Sequence, residues 1–470
     1  MKTRKYLFLP FLILASSHLF AQRNYGQELV NLLNEGKCFE ALDFKKQYKD
    51  SMPKSPVEGG FVELYYKYKM ASFLNKPDST AVYLHRLVTD YEDILGTSKP
   101  HFYGEMLNHY LGQQQFDKGA ALCDEIIAYM ERNPFKDKDK THLENEIKET
   151  ERIKKIFVEK DKNEPRIKIV RNNADKNKHI QLYNDSTFFS FDAEYNGQVL
   201  KTLFDTGVSY YFFMNKKVAD KIGVRFKPTK DSVQVMNGKN IRAVEGIIDT
   251  VSLGCIKLYN IPVLVLLGGF TPINLDSLNN MPEIKAKAKA SFDSMQIILG
   301  LPTIRLIGQF EFDWKNKSLI FPQKHSLKKA TPNIYTNELW LNTQLSINNL
   351  NYSGIVDTGA LCFIDIDSAF YEKHKGLIQV DTLAQKQPLN YATITGVHCD
   401  IPYELLAQDE LIRFGNQIIR RYPKDVQILK ANNSNAPTGV IGAYFFRRLG
   451  SKVLFDFQNM RIEGYGKLVK

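Results

Sequence analysis

The chain has 470 residues, of which 43% are hydrophobic and 24% are charged. This balance is typical of a globular protein and excludes a chain that is disordered throughout, while the length predicts two or three domains. The formal net charge of +11 arises from 63 Lys and Arg spread among 52 Asp and Glu, so we interpret it as a soluble surface and expect no nucleic-acid partner.

The start of the chain has the layout of a secretory signal peptide, predicted to span residues 1–21. Lys2, Arg4 and Lys5 precede a short apolar run, and Ala21 is the small residue before the predicted cut. The run is too short for a transmembrane helix, and no later stretch approaches that length. We therefore expect an exported protein, periplasmic or secreted, with no integral membrane segment after the signal is removed.

Residues 22–165 are predicted to form a helical domain and a linker, because apolar residues recur at spacings of three and four. Three similar segments begin at Gly36, Asn75 and Gly112, at intervals of 39 and 37 residues (75 − 36 and 112 − 75). This spacing suits stacked helical hairpins and resembles tetratricopeptide repeats, with a plain helical bundle as the alternative. Such a domain can offer a surface to a protein partner, although no residue identifies one.

Beyond Pro165 the sequence changes to short β-type runs broken by Asn, Gly and Pro, and this pattern continues to the end of the chain. The predicted fold class is multidomain α and β, in which the helical domain is followed by an all-β domain of two lobes. The lobes are predicted to span residues 166–330 and 331–470.

The β half contains two near copies of one short motif. Residues 203–207 (LFDTG) and 355–359 (IVDTG) each place two large apolar residues before Asp-Thr-Gly, and Asp205 and Asp357 are 152 residues apart (357 − 205). One such triplet arises easily by chance in a loop. Two in the same context indicate a duplicated β unit.

The flanks of the two triplets are repeated as well. A predicted hairpin turn precedes each Asp by eight residues, at Gly197 and Asn349, and an apolar pair precedes Gly300 and Gly442 downstream. The triplet Asp249-Thr250-Val251 lacks the Gly, and we interpret it as part of a strand.

Each repeat ends with an Arg five residues after its downstream Gly (Arg305, Arg447) and an Asp within a Phe-Asp-aromatic run (Asp313, Asp456). We expect these Asp side chains to be exposed strand-end charges. The alternative is that they pair with the two Arg side chains as internal braces.

Two carboxyl groups within hydrogen-bonding reach suit hydrolysis, because they cannot both ionise and so share one proton. One acts as base on a bound water while the other protonates the substrate carbonyl, and neither role belongs to a particular Asp. Thr206 and Thr358 supply hydroxyls that can lock the two loops together. Gly207 and Gly359 let backbone amides approach the carboxylates.

At these residues the chain resembles the retropepsin and pepsin clan of aspartic proteases, in a single-chain, two-lobed version. The resemblance implies two β barrels with a peptide cleft between them, closed by one or two hairpin flaps, and a polypeptide substrate. It assigns Asp205 and Asp357 to the catalytic pair, and Gly300 and Gly442 to the second signature of the family.

The residues after the triplets differ from one another. Ala360 fits the retropepsin pattern, whereas Val208 fits neither the retropepsin nor the pepsin pattern, and Ser209 is a candidate substitute for the missing hydroxyl. We expect the dyad to be less acidic than in pepsins, because a hydroxyl donor is missing in both lobes.

Two segments are candidate flaps. Residues 233–244, with a turn at Asn237 and Gly238, form the first, and residues 391–399, around Gly396, form the second. Ordinary surface hairpins are the alternative.

The nine His and five Cys show no spacing typical of a metal site, and no Gly-rich phosphate loop occurs, so we expect no cofactor and no metal. Cys362 and Cys399 could pair, but buried thiols are the favoured interpretation. The favoured function is an aspartic-type endopeptidase, a hydrolase. The alternative is a catalytically weak or inactive protease-fold module that binds peptide or protein and uses the helical domain for docking.

Overall fold

The computed structural model describes residues 23–133, 140–172, 179–183, 188–227, 233–234, 240–270, 275–322, 331–337, 339–383, 389–393, 396–422, 424–430 and 439–467. It divides the chain into two compact units, Met1–Lys67 and Tyr68–Lys470. The predicted signal peptide lies outside the described residues. Across the described ranges, every helix is too short or too polar to span a membrane.

The described residues before the first strand are helical, as predicted. They form α1 (Tyr25–Asn34), α2 (Cys38–Gln47), α3 (Glu58–Phe73), α4 (Pro77–Asp90), α5 (Glu92–Leu95), α6 (Lys99–Gly112), α7 (Phe116–Arg132) and α8 (Lys140–Asn163), with short 3-10 turns at Lys49–Ser51 and Gly96–Ser98.

Three helix pairs are joined by the same tight turn. Gly36, Asn75 and Gln114 occupy it with left-handed backbone, at φ of 70°, 54° and 53°, at equal intervals of 39 residues (75 − 36 and 114 − 75). In each turn the following N–H donates to the carbonyl five residues earlier, the hydrogen bond that ends a helix in a Schellman motif. The repeat found in the sequence therefore corresponds to helix–turn–helix units, and the tetratricopeptide likeness stays a prediction.

The chain after α8 is rich in strands. The first half contains β1 (Lys168–Arg171), β2 (His179–Gln181), β3 (Ser190–Tyr195), β4 (Gln198–Asp205), β5 (Phe212–Asn215), α9 (Lys216–Lys221), β6 (Arg225–Phe226), β7 (Val233–Gln234), β8 (Asn240–Ile241), β9 (Ala243–Leu253), β10 (Ile256–Leu266), a 3-10 turn (Leu275–Leu278), α10 (Pro282–Ser294), β11 (Ile297–Gly300), α11 (Leu301–Ile307), β12 (Gln309–Asp313) and β13 (Ser318–Ile320).

The second half contains β14 (Ile334–Asn337), β15 (Trp340–Ile347), β16 (Leu350–Asp357), β17 (Ile364–Ile366), α12 (Ser368–His374), β18 (Leu389–Thr393), β19 (Gly396–Ile401), β20 (Tyr403–Leu405), β21 (Ile412–Phe414), β22 (Gln417–Ile418), β23 (Val426–Leu429), β24 (Val440–Gly442), α13 (Ala443–Phe446), β25 (Lys452–Asp456) and β26 (Arg461–Tyr465). The predicted fold class, helices followed by a sheet-rich region, is confirmed, and the sheet-rich region also carries short helices.

The described strands form one large sheet in each lobe, a third sheet that joins the lobes, and two separate two-stranded sheets, β7–β8 and β18–β19. The lobe sheets run β1-β10-β5-β11-β4-β3-β9-β6 and β20-β23-β17-β24-β16-β15-β21-β22, and the joining sheet runs β2-β13-β12-β25-β26. In the joining sheet β12 pairs antiparallel with β25, and the rings of Phe310 and Phe455 stack at 5.2 Å. Strand side chains alternate between faces, and β15 buries Leu341, Thr343 and Leu345 on one side.

The expectation that Asp313 and Asp456 are exposed strand-end charges is wrong, because the two residues are 1% and 0% exposed. Each accepts hydrogen bonds from the backbone and side-chain nitrogens of the Asn three residues later, Asn316 and Asn459, and Asp313 also contacts Lys452 at 3.0 Å. Asp313 and Asp456 stabilise the tight turns that follow β12 and β25 in the joining sheet. In the part of the chain that the structure describes, neither forms an ion pair with the repeat's Arg residues.

Candidate active site

Each Asp of the duplicated triplet is the last residue of a strand: β4 ends at Asp205 and β16 ends at Asp357. The strands are parallel partners of β11 and β24, in a register that sets Gly300 opposite Asp205 and Gly442 opposite Asp357. The hairpins β3–β4 and β15–β16 fix the approach of both strands, with positive φ at both residues of each two-residue turn. The same local fold therefore delivers one acidic side chain from each lobe.

The two loops are locked to each other by Thr206 and Thr358, both 0% exposed. The backbone N–H of each Thr donates to Oγ1 of the other, at 3.0 Å in both directions. The hydroxyl of Thr206 donates to the carbonyl of Val356 at 2.7 Å, and that of Thr358 donates to the carbonyl of Phe204 at 3.1 Å. Both hydroxyls and both backbone N–H groups of the two Thr residues are paired, so the loops are held in one relative position.

Glycine is required next to each Thr because the opposite carboxyl group lies against the backbone. A Cβ on Gly207 would lie 2.5 Å from Cγ of Asp357, and one on Gly359 would lie 2.3 Å from Oδ2 of Asp205. The N–H groups of Gly207 and Gly359 also donate to Oδ1 of their own Asp, at 2.8 and 2.9 Å. Each carboxyl group is thus held between its own loop and the loop of the other lobe.

The side chains of Asp205 and Asp357 lie within hydrogen-bonding reach of each other. Burial raises the pKa of both carboxyls above the ordinary 3.8, and the charge of Asp357 raises the pKa of Asp205 further. The N–H donors of Gly207 and Gly359 act in the opposite direction but do not cancel the effect of burial. The pair therefore keeps a shared proton well above the pH at which an isolated Asp loses it.

Gly300 and Gly442 lie directly beneath the two loops. A Cβ on Gly300 would lie 2.1 Å from the carbonyl oxygen of Tyr210, and one on Gly442 would lie 2.4 Å from that of Cys362. The next residue in each repeat donates its N–H to the loop, Leu301 to Val208 at 2.8 Å and Ala443 to Ala360 at 2.9 Å. The predicted second-signature residues, Gly300 and Gly442, therefore pack directly against the backbone of the acidic loops.

The side chain of Val208 packs among buried apolar residues, including Leu203 and Phe213. An apolar side chain suits this position of the first lobe. The expected effect on the acidity of the dyad stays a prediction.

The two candidate flaps are hairpins of paired strands. β7 pairs antiparallel with β8, but the turn residues Asn237 and Gly238 lie outside the described residues. β18 pairs antiparallel with β19, and Gly396 is the first residue of β19, opposite Thr393. Their role as flaps stays a prediction.

Sequence reasoning missed a buried acidic residue, Asp365, near the two Asp residues of the dyad. Asp365 lies on β17, the thiol of Cys362 is hydrogen-bonded to it, and burial raises the pKa of Asp365 to about 6. The Cys362 thiol interacts electrostatically with both Asp365 and Asp357, and burial raises its pKa well above the ordinary 9.0. Cys362 is a free thiol, so the pairing with Cys399 that was the less favoured alternative is not formed. The alternation of acidic and apolar residues in Ile364–Ile366 was the available signal.

Comparison with known proteins finds a family model that matches part of this region. Residues 191–284 match the family model of aspartyl proteases. This segment includes Asp205 and the first acidic loop, and the match confirms the predicted resemblance to aspartic proteases and supports a protease-type function. Among solved structures, a retropepsin-like aspartic protease from Rickettsia conorii is similar at 20% identity, with a TM-score of 0.20, over 33% of this chain and 92% of that chain. No curated protein matches this chain.

The second acidic loop, at Asp357, lies outside the segment matched to the aspartyl protease family. The internal repeat connects it to that segment, since Asp357 has the same strand register and the same glycine and threonine contacts as Asp205. Among the described residues, no group of three or more His, Cys, Asp or Glu side chains is arranged to hold a metal ion. The functional groups that the two loops bring together are the carboxyl groups of Asp205 and Asp357.

Proposed function

We propose that this protein is an exported aspartic endopeptidase, with Asp205 and Asp357 as its catalytic dyad. The main support is the arrangement of the two carboxyl groups, which face each other across the lobe interface on loops fixed by reciprocal threonine hydrogen bonds. Carboxyl groups that share one proton provide an acid and a base at the same place.

The reaction follows from this protonation state. The ionised carboxylate takes a proton from a water molecule as the water oxygen attacks the peptide carbonyl carbon, and the neutral carboxyl group donates its proton to the carbonyl oxygen. The tetrahedral intermediate then collapses: the amide nitrogen takes a proton from the dyad, a hydroxyl group of the intermediate returns its proton to the dyad, and the C–N bond breaks. The products are a carboxylic acid and an amine, and the dyad again holds one proton.

Export is proposed from the signal-peptide layout of residues 1–21, and a periplasmic or secreted protease acts on polypeptides that are outside the cytoplasm. The substrate is a peptide or an unfolded protein segment, because a cleft between two lobes accepts an extended chain. A separate protein partner for the helical region stays a prediction.

Turnover of a casein or peptide-library substrate tests the proposal. We expect wild-type protein to cut, and Asp205→Asn or Asp357→Asn to reduce kcat by at least about a thousandfold, because either change removes the acid–base pair. The matched control is Asp249→Asn, which changes the near-copy triplet; Asp249 is 49% exposed and pairs with Arg225, so activity should stay within about twofold.

The alternative function makes a different prediction in the same experiment. A protease-fold binding module would retain peptides in a pull-down but release no new amino termini at any pH from 3 to 8. That result, obtained with folded wild-type protein, would replace the proposal with a peptide-binding function.

A further inference from the structure

The turn between α3 and α4 contacts both lobes of the protease region. It lies in the same compact unit as the lobes, Tyr68–Lys470. The side chain of Leu74 packs against the main hydrophobic core, and the ring of Phe73 lies edge-on to that of Tyr335 at 5.9 Å. The hydroxyl of Thr336 donates to the carbonyl of Phe73 at 3.2 Å. This turn is therefore packed into the protease region.

Asn75, at the tip of the turn, connects the two lobes through its side-chain amide. Nη2 of Arg305, on α11 of the first lobe, donates to Oδ1 of Asn75 at 2.6 Å. Nδ2 of Asn75 donates to the carbonyl oxygen of Phe457, after β25 of the second lobe, at 3.2 Å. Next to it, Nζ of Lys76 donates to the carbonyl of Gln458 at 2.6 Å. One amide thus satisfies a donor from one lobe and an acceptor from the other.

The two residues that Asn75 contacts, Arg305 and Phe457, belong to segments that support the dyad. α11 starts directly after Gly300, the register partner of Asp205, and the hydroxyl of Thr303 on α11 donates to the carbonyl of Tyr211, at the far end of the acidic loop. Phe457 follows β25, the strand that pairs with β12 to join the lobes. A displacement of Asn75 would therefore shift α11, which packs under the first acidic loop, and the end of β25 in the joining sheet.

The internal repeat explains why a helical turn occupies this place. Arg305 and Arg447 are equivalent, each five residues after its glycine, and Trp314 and Phe457 are equivalent, each directly after the buried Asp of its repeat. Arg447, in the second lobe, lies directly over the ring of Trp314, in the first lobe, at 5.5 Å. Arg305, in the first lobe, is connected to the backbone carbonyl of Phe457, in the second lobe, through the amide of Asn75. Both Arg side chains therefore take part in a contact between the lobes, one directly and the other through the helical region.

We infer that Asn75 is a positioning residue of the active site, and that the helical region from residue 68 onward is an integral part of the catalytic body and not a removable pro-segment. The turn holds the two lobes in the orientation that brings their acidic loops together. This inference rests on the proposed function for its effect on catalysis, but its structural part can be tested without any substrate.

Hydrogen exchange at the backbone amides of Thr206 and Thr358 in the full chain provides that test, because both amides donate across the lobe interface. Asn75→Gly keeps the left-handed backbone and removes the amide, and we expect exchange at both amides to rise about tenfold. The control is Gln114→Gly, the equivalent tip residue of the next helix pair, which accepts from the N–H of Ile167 and should change exchange less than about twofold.

Two further variants test both arms of the bridge. Asn75→Asp keeps the acceptor for Arg305 but loses the donor to Phe457, so it should behave like Asn75→Gly. If Asn75→Gly does not fold, Arg305→Met removes the other arm alone and should still raise exchange at both amides. Unchanged exchange in Asn75→Gly or in Arg305→Met, wild-type exchange in Asn75→Asp, or an equal rise in Gln114→Gly would overturn the inference.

In a cleaving enzyme, the same variants should lower kcat about tenfold with KM changed by less than about threefold, because the reacting groups are displaced while the cleft remains. If wild-type protein cuts nothing but the exchange results are as expected, the proposed protease activity fails and the bridging role of Asn75 stands.

Discussion

The backbone N–H of Thr206 and Oγ1 of Thr358 are 3.0 Å apart, and the reciprocal pair of atoms has the same separation. This two-way exchange crosses the lobe interface at positions that are fully buried. Because each hydroxyl also donates to a carbonyl of the opposite loop, removal of one hydroxyl leaves buried polar groups of both lobes without partners.

Thr358→Val should lower the free energy of unfolding by about 2–4 kcal/mol, because the N–H of Thr206 and the carbonyl of Phe204 lose their partners. Thr358→Ser keeps the hydroxyl and should cost less than about 1.5 kcal/mol. Urea unfolding in an Asp205→Asn background, which prevents self-cleavage, measures both values. A smaller loss for Val than for Ser would show that the methyl group, and not the hydrogen bonds, stabilises this site.

Gly207→Ala should reduce kcat by at least about a hundredfold, because the added Cβ would lie 2.5 Å from Cγ of Asp357 and would push the carboxyl groups apart. Gly376→Ala is the control, since a Cβ there meets no atom within 4 Å. Initial rates and circular dichroism spectra of both variants separate a displaced dyad from a misfolded chain. A fully active Gly207→Ala enzyme would contradict the proposed site.

The pH–rate profile should extend well above pH 3.8, the ordinary pKa of an Asp side chain. The active dyad holds one proton, and burial raises the pKa at which this proton is lost, so the alkaline limb of kcat/KM moves toward neutral pH. Measurement of kcat/KM between pH 2 and 8 checks this outcome. Complete loss of activity by pH 4 would show that the proton is not retained.

Asp365→Asn should raise the free energy of unfolding, relative to wild type, more at neutral pH than at acid pH. Burial raises the pKa of Asp365 from 3.8 to about 6, so the folded protein holds a proton that the unfolded chain has lost, and wild-type stability falls as the pH rises through this window. The difference between pH 4 and pH 7 should be about 2 kcal/mol. Urea unfolding at both pH values measures it, with Asp249→Asn, at an exposed position, as the matched control.

Much of the site could be predicted from the sequence, because the hairpin before each Asp is formed by residues close together in the chain. The turns before the two Asp residues, at residues 196–197 and 348–349, have the positive φ values that Asn and Gly tolerate, so the predicted hairpins formed in the expected register. The parallel pairing of β4 with β11 and of β16 with β24 then placed both glycines beneath the loops.

Other features depend on contacts between residues distant in the chain. Asp313 reads as an exposed strand-end charge, yet it is buried where the two lobes pair, beside Lys452. The contact of Asn75 with Arg305 joins residues 230 positions apart (305 − 75), and no periodicity within either segment indicates it. The sequence predicts that the third helical segment begins at Gly112, whereas the turn lies at Gln114. The difference arises because Gln is not a residue that signals a left-handed turn.

Tyr210 and Cys362 occupy equivalent places, since each contributes the carbonyl that lies against the glycine beneath its loop. Tyr210 carries a large phenol that packs against a buried apolar cluster, and Cys362 carries a small thiol that is hydrogen-bonded to Asp365. The two acidic loops therefore have chemically unlike surroundings. Two identical subunits would give both carboxyl groups the same neighbours, whereas two diverged halves of one polypeptide can give each carboxyl group neighbours of its own.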